Sequence, residues 1–166
     1  MHDDQRDELL AQALYLREQG HTEEAREDLL TLAQRYPDDA GVAYQAAWIH
    51  DAMGLEAEAV GFYERSLGSE GLSQQDRRGA YVGLGSTYRV LGRYDEAVAT
   101  LRRGLLEFPE DAAMLTFLAM ALYNTGETRE SVSTLLKILA ATSEDEHVRS
   151  YRRAIEYYAE DLDAMS

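Results

Sequence analysis

Apolar residues recur along the chain at helical spacing. One stripe is Tyr81, Leu84, Gly85, Tyr88, and another is Leu115, Leu118, Ala119, Leu122. Offsets of i, i+3, i+4 and i+7 place such side chains on one face of a helix. A second stripe follows each first one, as in Ala97, Leu101, Gly104, Leu105. Alternating strand patterns are absent. Between the paired stripes stand Gly20, Gly54, Gly92 and Gly126, a near-constant recurrence along the chain. Five residues after each glycine comes a small residue, Ala25, Ala59, Ala97 or Ser131. Twelve residues further on, Pro37, Gly71, Pro109 or Ser143 stops a helix or caps the next. Glycine ends a helix because it reaches left-handed backbone angles at low cost. The small residue lies where two antiparallel helices come close, since a longer side chain there would push them apart. Each unit is therefore predicted to be helix, tight turn, helix.

The units fall at 6–39, 40–73, 78–111 and 112–145, with a four-residue insertion around Gly71–Arg77. Ser73 with Asp76 three residues later predicts a capping box for the helix that follows. Ser143 with Glu146 predicts the same for a last helix over 144–163, making nine helices within a single domain, 1–166. The apolar positions of that last helix, Val148, Tyr151, Ile155, Tyr158, Leu162 and Met165, form a narrow seam. A terminal cap needs one apolar face and one wet face, and the seam supplies both. The same seam, Val148, Tyr151, Ile155, Tyr158 and Leu162, also suits a coiled-coil-like homodimer contact.

A helix–turn–helix unit of this length, about 34 residues, resembles the tetratricopeptide repeat. The third unit carries the fullest pattern: Tyr81, Leu84, Gly85, Tyr88, Gly92, Tyr94, Ala97, Leu101 and Pro109. The strings LGSEGLSQQDRRGAYVGLGSTYRVLGRYDEA, FLAMALYNTGE and YYAEDLD further resemble the group-5 tetratricopeptide family of bacterial proteins. The resemblance implies an all-α, right-handed superhelix (an α-solenoid) of four repeats plus a capping helix. It implies protein–protein interaction, self-association among the options, and no chemistry. It also implies a concave groove lined by the first helix of each repeat. Three rows face it by register: Leu10, Tyr44, Val82, Thr116; then Leu14, Trp48, Ser86, Met120; then Arg17, Asp51, Arg89, Tyr123. Within a repeat these stand at i, i+4 and i+7, on one face. The third row alternates Arg, Asp, Arg, a pattern for a salt-bridge ladder. Trp48 either centres the groove or fills a gap opposite Ser86. Relatives that hold chaperone tails use lysine and asparagine where this chain has Leu10, Leu14, Val82 and Ser86, so that role is not expected.

Composition narrows the function further. The 166 residues carry 31 acids against 16 bases, net −15. The excess opposes binding to bare nucleic acid, which needs cations on phosphates, and to anionic membrane. It is uneven: residues 1–73 hold 16 acids and 5 bases. An acidic half steers basic partners. With no cysteine, thiol chemistry, disulfides and cysteine-held metals are excluded. The start, MHDDQRDE, does not read as an export signal, and no apolar run of about 18 residues is present, so a cytoplasmic location is expected. His2, His21, His50 and His147 share no metal-ligand spacing and read as surface or turn residues. Gly83-Leu84-Gly85-Ser86 lacks the strand before and the lysine after that a phosphate loop requires. Glu23, Glu24, Glu27 and Asp28 sit favourably at the positive start of a helix and read as a solvated face. No catalytic set, metal site or cofactor is expected. The sequence predicts a non-enzymatic scaffold that takes a peptide or helix of a protein partner in the groove, with self-association as the alternative.

Overall fold

The computed structural model of the chain describes residues 2–165. Among them are ten helices and no strand. They divide into two compact units, Met1–Leu91 and Gly92–Ser166. In the first, α1 (His2–Glu18) packs on α2 (Thr22–Arg35), α2 on α3 (Ala40–Ala52), α3 on α4 (Glu56–Gly68), and α4 on α5 (Gln74–Val90). In the second, α6 (Tyr94–Glu107) packs on α7 (Ala112–Thr125), and α7 on α8 (Thr128–Thr142). The short α9 (Glu146–Ser150) leads into α10 (Arg152–Glu160), which packs on α8.

Two kinds of helix start alternate. Helices α3, α5, α7 and α9 begin at side-chain caps: Asp39 accepts from Val42 N–H (2.8 Å), Ser73 from Asp76 N–H (3.0 Å), Asp111 from Met114 N–H (2.9 Å) and Asp145 from Val148 N–H (2.9 Å). Each satisfies a backbone donor that the first turn leaves without a partner. Helices α2, α4, α6 and α8 have no side-chain cap. They start from glycine turns instead. Gly20, Gly54, Gly92 and Gly126 take φ from +73° to +89°, angles that glycine adopts without strain. The next residue's N–H then reaches back five positions, as in His21 to Leu16 O and Glu127 to Leu122 O, both 2.9 Å. That pairing satisfies the carbonyls at the end of the preceding helix.

The small residues lie inside. Ala25, Ala59 and Ala97 are fully buried. Ser131, the fourth in the series, is buried too, and its hydroxyl donates to Ala119 O on α7 at 2.6 Å. Gly83 lies within α5, so the glycine-rich string is a packing surface. A methyl on Gly83 would stand 2.7 Å from Tyr63 Cε1, and one on Gly79 would stand 3.1 Å from Tyr44 Cζ. Two tyrosines of the α3–α4 hairpin thus press against bare backbone on α5.

The end of the chain departs from expectation. One helix over 144–163, capped by Ser143, becomes two helices that begin at Asp145 and break at Tyr151. Asp145 is the better cap because it follows Asp111 by one repeat length and bonds as Asp111 does. Ser143 closes α8, and its hydroxyl accepts from Asp145 N–H at 3.3 Å. The break also has a cause in the register. One repeat length after the core positions Leu115, Leu118, Ala119 and Leu122 stand Arg149, Arg152, Arg153 and Glu156. A helix held in that register would bury four charged side chains, which is costly without partners.

The glycines of α4 and α5 give a paired test. Gly83→Ala sets up to about 1 kcal/mol of helix propensity against overpacking of about 1–3 kcal/mol. Tyr63 is 2% exposed and cannot yield, so a net loss of stability is expected in urea melts. Gly61→Ala, with open space around it, is expected to gain stability. Equal effects at the two positions would contradict the packing described.

Candidate functional site

On α3 the inward face is set by Ala43, Ala46, Ala47, Ile49 and His50, all buried. Trp48 follows Ala47 by one position and is thereby turned outward, 41% exposed. Arg17 of α1 lies over it, with the guanidinium carbon 4.2 Å from the ring centroid. Arg17 also donates to Gln45 Oε1 at 2.7 Å, which fixes the fork while its flat face covers the indole. Such cation–π contacts contribute about 0.5–1 kcal/mol at partly exposed sites. Burial lowers the Arg17 pKa from its ordinary value.

Beside this pair lies a polar cluster that joins α3, α4 and α5. Tyr63 donates to Asp51 Oδ2 at 3.2 Å, and Thr87 of α5 donates to Gly83 O at 2.7 Å, beside the Tyr63 ring. The Tyr44 and Tyr63 rings stand 6.4 Å apart, tilted. Burial raises the pKa of Asp51 and of Tyr44. Burial, with the Asp51 charge next, raises that of Tyr63 well above the phenol range.

In the first unit, Leu10, Leu14, Arg17, Tyr44, Asp51, Val82, Ser86 and Arg89 are half-buried and Trp48 is exposed. Direct contacts join Arg17 to Trp48 and bring Asp51 and Tyr44 together on Tyr63. Arg17 turns to Gln45 and Trp48, and Asp51 accepts from Tyr63. Thr116, Met120 and Tyr123 belong to the second unit, where Thr116 is half-buried and the other two are exposed. Gln45, Tyr63 and Thr87 escaped the sequence reading. A glycine pair at 79 and 83, four apart and therefore on one face, was the available sign that large rings press there.

In the seam of the second unit, Val148, Ile155 and Leu162 are half-buried, whereas Tyr151 is 58% and Tyr158 43% exposed. The residue of α10 buried against α8 is Ala159, whose carbonyl accepts from Ser133 Oγ at 2.6 Å.

Two other residues sit differently from expectation. His50 is not a surface residue: it is 2% exposed, its Nδ1 lies 2.7 Å from Ala46 O, and its ring is 5.2 Å from Phe62. Tyr94, which matches a packing position of the repeat pattern, is 38% exposed at the start of α6. The His2 side chain lies outside the described residues. Among the described residues, no three His, Asp or Glu side chains gather as a metal site. None of their helices is long and apolar enough to cross a membrane.

Residues 40–162 match the sequence profile of the family described as "Tetratrico peptide repeat", and residues 9–39 match that of "Tetratricopeptide repeat". "Superkiller protein 3" of Schizosaccharomyces pombe is 32% identical over 102 residues, 59% of this chain and 7% of that protein. The chain thus spans a small part of that relative. Among solved structures, "MamA 41-end from Desulfovibrio magneticus RS-1" aligns with a TM-score of 0.74 at 18% identity, covering 95% of this chain and 90% of that one. The structure titled "Crystal structure of APC/C hetero-tetramer Cut9-Hcn1" aligns with a TM-score of 0.72 at 18% identity, covering 93% of this chain and 29% of that one. At these identities the likeness shows the fold, an all-α solenoid of helical hairpins.

Asp51 supplies a test by pH. Its pKa is raised in the folded state, so its contribution to stability is fully present below the unfolded-state value and is lost as pH rises through the folded value. Asp51→Asn keeps an acceptor for Tyr63 and carries no charge. Its stability relative to the parent is expected to improve as pH rises from below the carboxylate range to neutrality. Urea melts across that range check this, and a flat or opposite trend would count against a strained carboxylate.

Proposed function

Since this chain belongs to the tetratricopeptide repeat family, we propose that it is a non-enzymatic cytoplasmic scaffold that binds a peptide or helix of a protein partner on the Trp48 face of its first unit. The family's fold mediates protein–protein interaction. The observation that carries the finer reading is the exposed indole of Trp48, held under Arg17. Tryptophan and arginine are the side chains most often found as binding anchors. A ring already fixed loses little freedom on binding, which favours affinity. Leu10, Leu14, Tyr44, Val82 and Ser86 offer apolar or uncharged surface, so the partner expected is mostly apolar, with basic flanks drawn by the acidic N-terminal half. Neither nucleic acid nor membrane suits a chain of net −15, and neither a cofactor nor a metal belongs to this reading.

A second reading is self-association through the end of the second unit, favoured by the exposure of Tyr151 and Tyr158.

Trp48 is the single tryptophan, so its fluorescence reports on the face. A partner captured by the parent chain and then purified is expected to shift that emission. Trp48→Ala is expected to lose about 2 kcal/mol or more of binding while circular dichroism stays unchanged. Undiminished binding by the folded Trp48→Ala variant would overturn the reading.

A further inference from the structure

Arg17 is half-buried, yet no carboxylate among the described residues pairs with it. Its hydrogen bond runs from Nη1 to Gln45 Oε1, and its charge otherwise rests on the Trp48 ring. Glu18, next in the chain, acts on it only at a distance. Asp51, which the Arg–Asp–Arg row offered as a partner, accepts from Tyr63 instead. Other half-buried arginines of this unit are matched: Arg6 lies 3.2 Å from an Asp39 oxygen, and Arg26 3.2 Å from a Glu23 oxygen. In a chain of 31 acids and 16 bases, the cation on the Trp48 ring is left uncompensated.

The donors that remain have a shape. With Nη1 engaged, the guanidinium keeps Nε–H and Nη2–H, which point the same way along one edge. Neither has an acceptor, and neither is sealed from solvent. Arg65 is the contrast. Its Nε and Nη2 also lack acceptors, but they are buried, beside Phe62, where nothing from outside reaches them. Two parallel N–H groups on one planar edge match the two oxygens of a carboxylate. Gln45 and the indole already hold the Arg17 fork, so little freedom is lost when that edge is used. Burial has also stripped part of its water, which lowers its pKa. A charge so placed is costly until it is paired.

We propose that the segment bound on the Trp48 face carries a carboxylate that lies bidentate on Arg17 Nε and Nη2, beside an apolar residue that covers the indole. This rests on the Trp48-face reading and specifies the partner's chemistry: an apolar peptide or helix with an Asp, a Glu or a chain end at its centre. It is not the site used by relatives that hold chaperone tails, whose positions here are Leu10, Leu14, Val82 and Ser86. The acidity of the N-terminal half does not forbid the contact. Exposed charges farther off than about 8 Å are largely screened at physiological salt, whereas a partly buried pair is screened much less.

Selection of random short peptides on the full chain tests this, with internal and free C-terminal display run side by side. The binders are synthesised and titrated against Trp48 emission. They are expected to carry Asp, Glu or a free chain end next to an apolar or aromatic residue. Changing that acid to its amide, or amidating the chain end, tells which source supplies the carboxylate, and is expected to weaken binding about 10-fold or more. On Arg17→Gln the charged and neutral peptides are expected to bind equally. Arg17→Lys keeps the charge without the fork and is expected to recover only part of the difference. Circular dichroism of both variants is expected to match the parent. Peptides that shift Trp48 emission but bind as well without their carboxylate, or that keep its benefit on Arg17→Gln, overturn the pairing and leave the Trp48 face standing. A library that yields no binder able to shift that emission overturns the Trp48 face, and the pairing with it.

Discussion

Close approach between helices is the constraint on which the rest of the structure depends. Ser131 shows how tight it is, since a hydroxyl on the β-carbon of α8 already reaches a backbone carbonyl of α7 at 2.6 Å. No branched or long side chain fits in such a gap. Alanine or serine must therefore stand five residues after each turn glycine, and the glycine must be there to bring the helix back at once. These two requirements set the rotation of every helix about its own axis. They determine which residues are buried and, just as firmly, which are left outside.

Trp48 is a consequence of that rotation. Ala47 is fully buried and Trp48 is its neighbour, so the largest side chain of α3 cannot share the core. Its exposure is stabilised by Arg17, which is itself held by Gln45. The adjoining face of α3 is stiffened differently. Tyr44 and Tyr63 lean on glycine backbone of α5, and the Tyr63 hydroxyl donates to Asp51. Half-buried polar groups that are fully partnered resist motion more than an equal area of apolar contact, because each bond has a direction. The surface offered to a partner is therefore rigid where it is aromatic, and order that already exists need not be created on binding.

How much of this was legible in the sequence depended on whether the cause was local. Glycine and alanine spacing predicted the hairpins because a left-handed turn and a close contact each demand one residue type at one place, and Gly20, Gly54, Gly92 and Gly126 take positive φ. The start of α5 at Ser73 was legible for the same reason. The start of α9 was read two residues early, because Ser143 and Asp145 both suit a cap, and the sign that separates them, the repeat spacing from Asp111, was passed over. The burial of His50 was hidden because its polar ring is satisfied by a carbonyl one turn back, which leaves no mark in the sequence. The partners of Arg17 and Asp51 were not legible either. Long side chains choose among neighbours by geometry, and neither Gln45 nor Tyr63 carries a charge that would mark it in the sequence as the partner.

The break at Tyr151 shows how a repeat ends. A fifth unit begins on schedule, with Asp145 standing where Asp111 stood one repeat earlier. Its core positions are then filled by Arg149, Arg152, Arg153 and Glu156, and burying those would cost far more than a helix break. The chain breaks and shifts until Ala159 offers a small side chain to α8. Terminal repeats ordinarily gain solubility from a polar outer face. Here the polar residues instead prevent the next helix from docking in register, so the apolar stripe of α8, Val132, Leu135 and Leu139, stays uncovered.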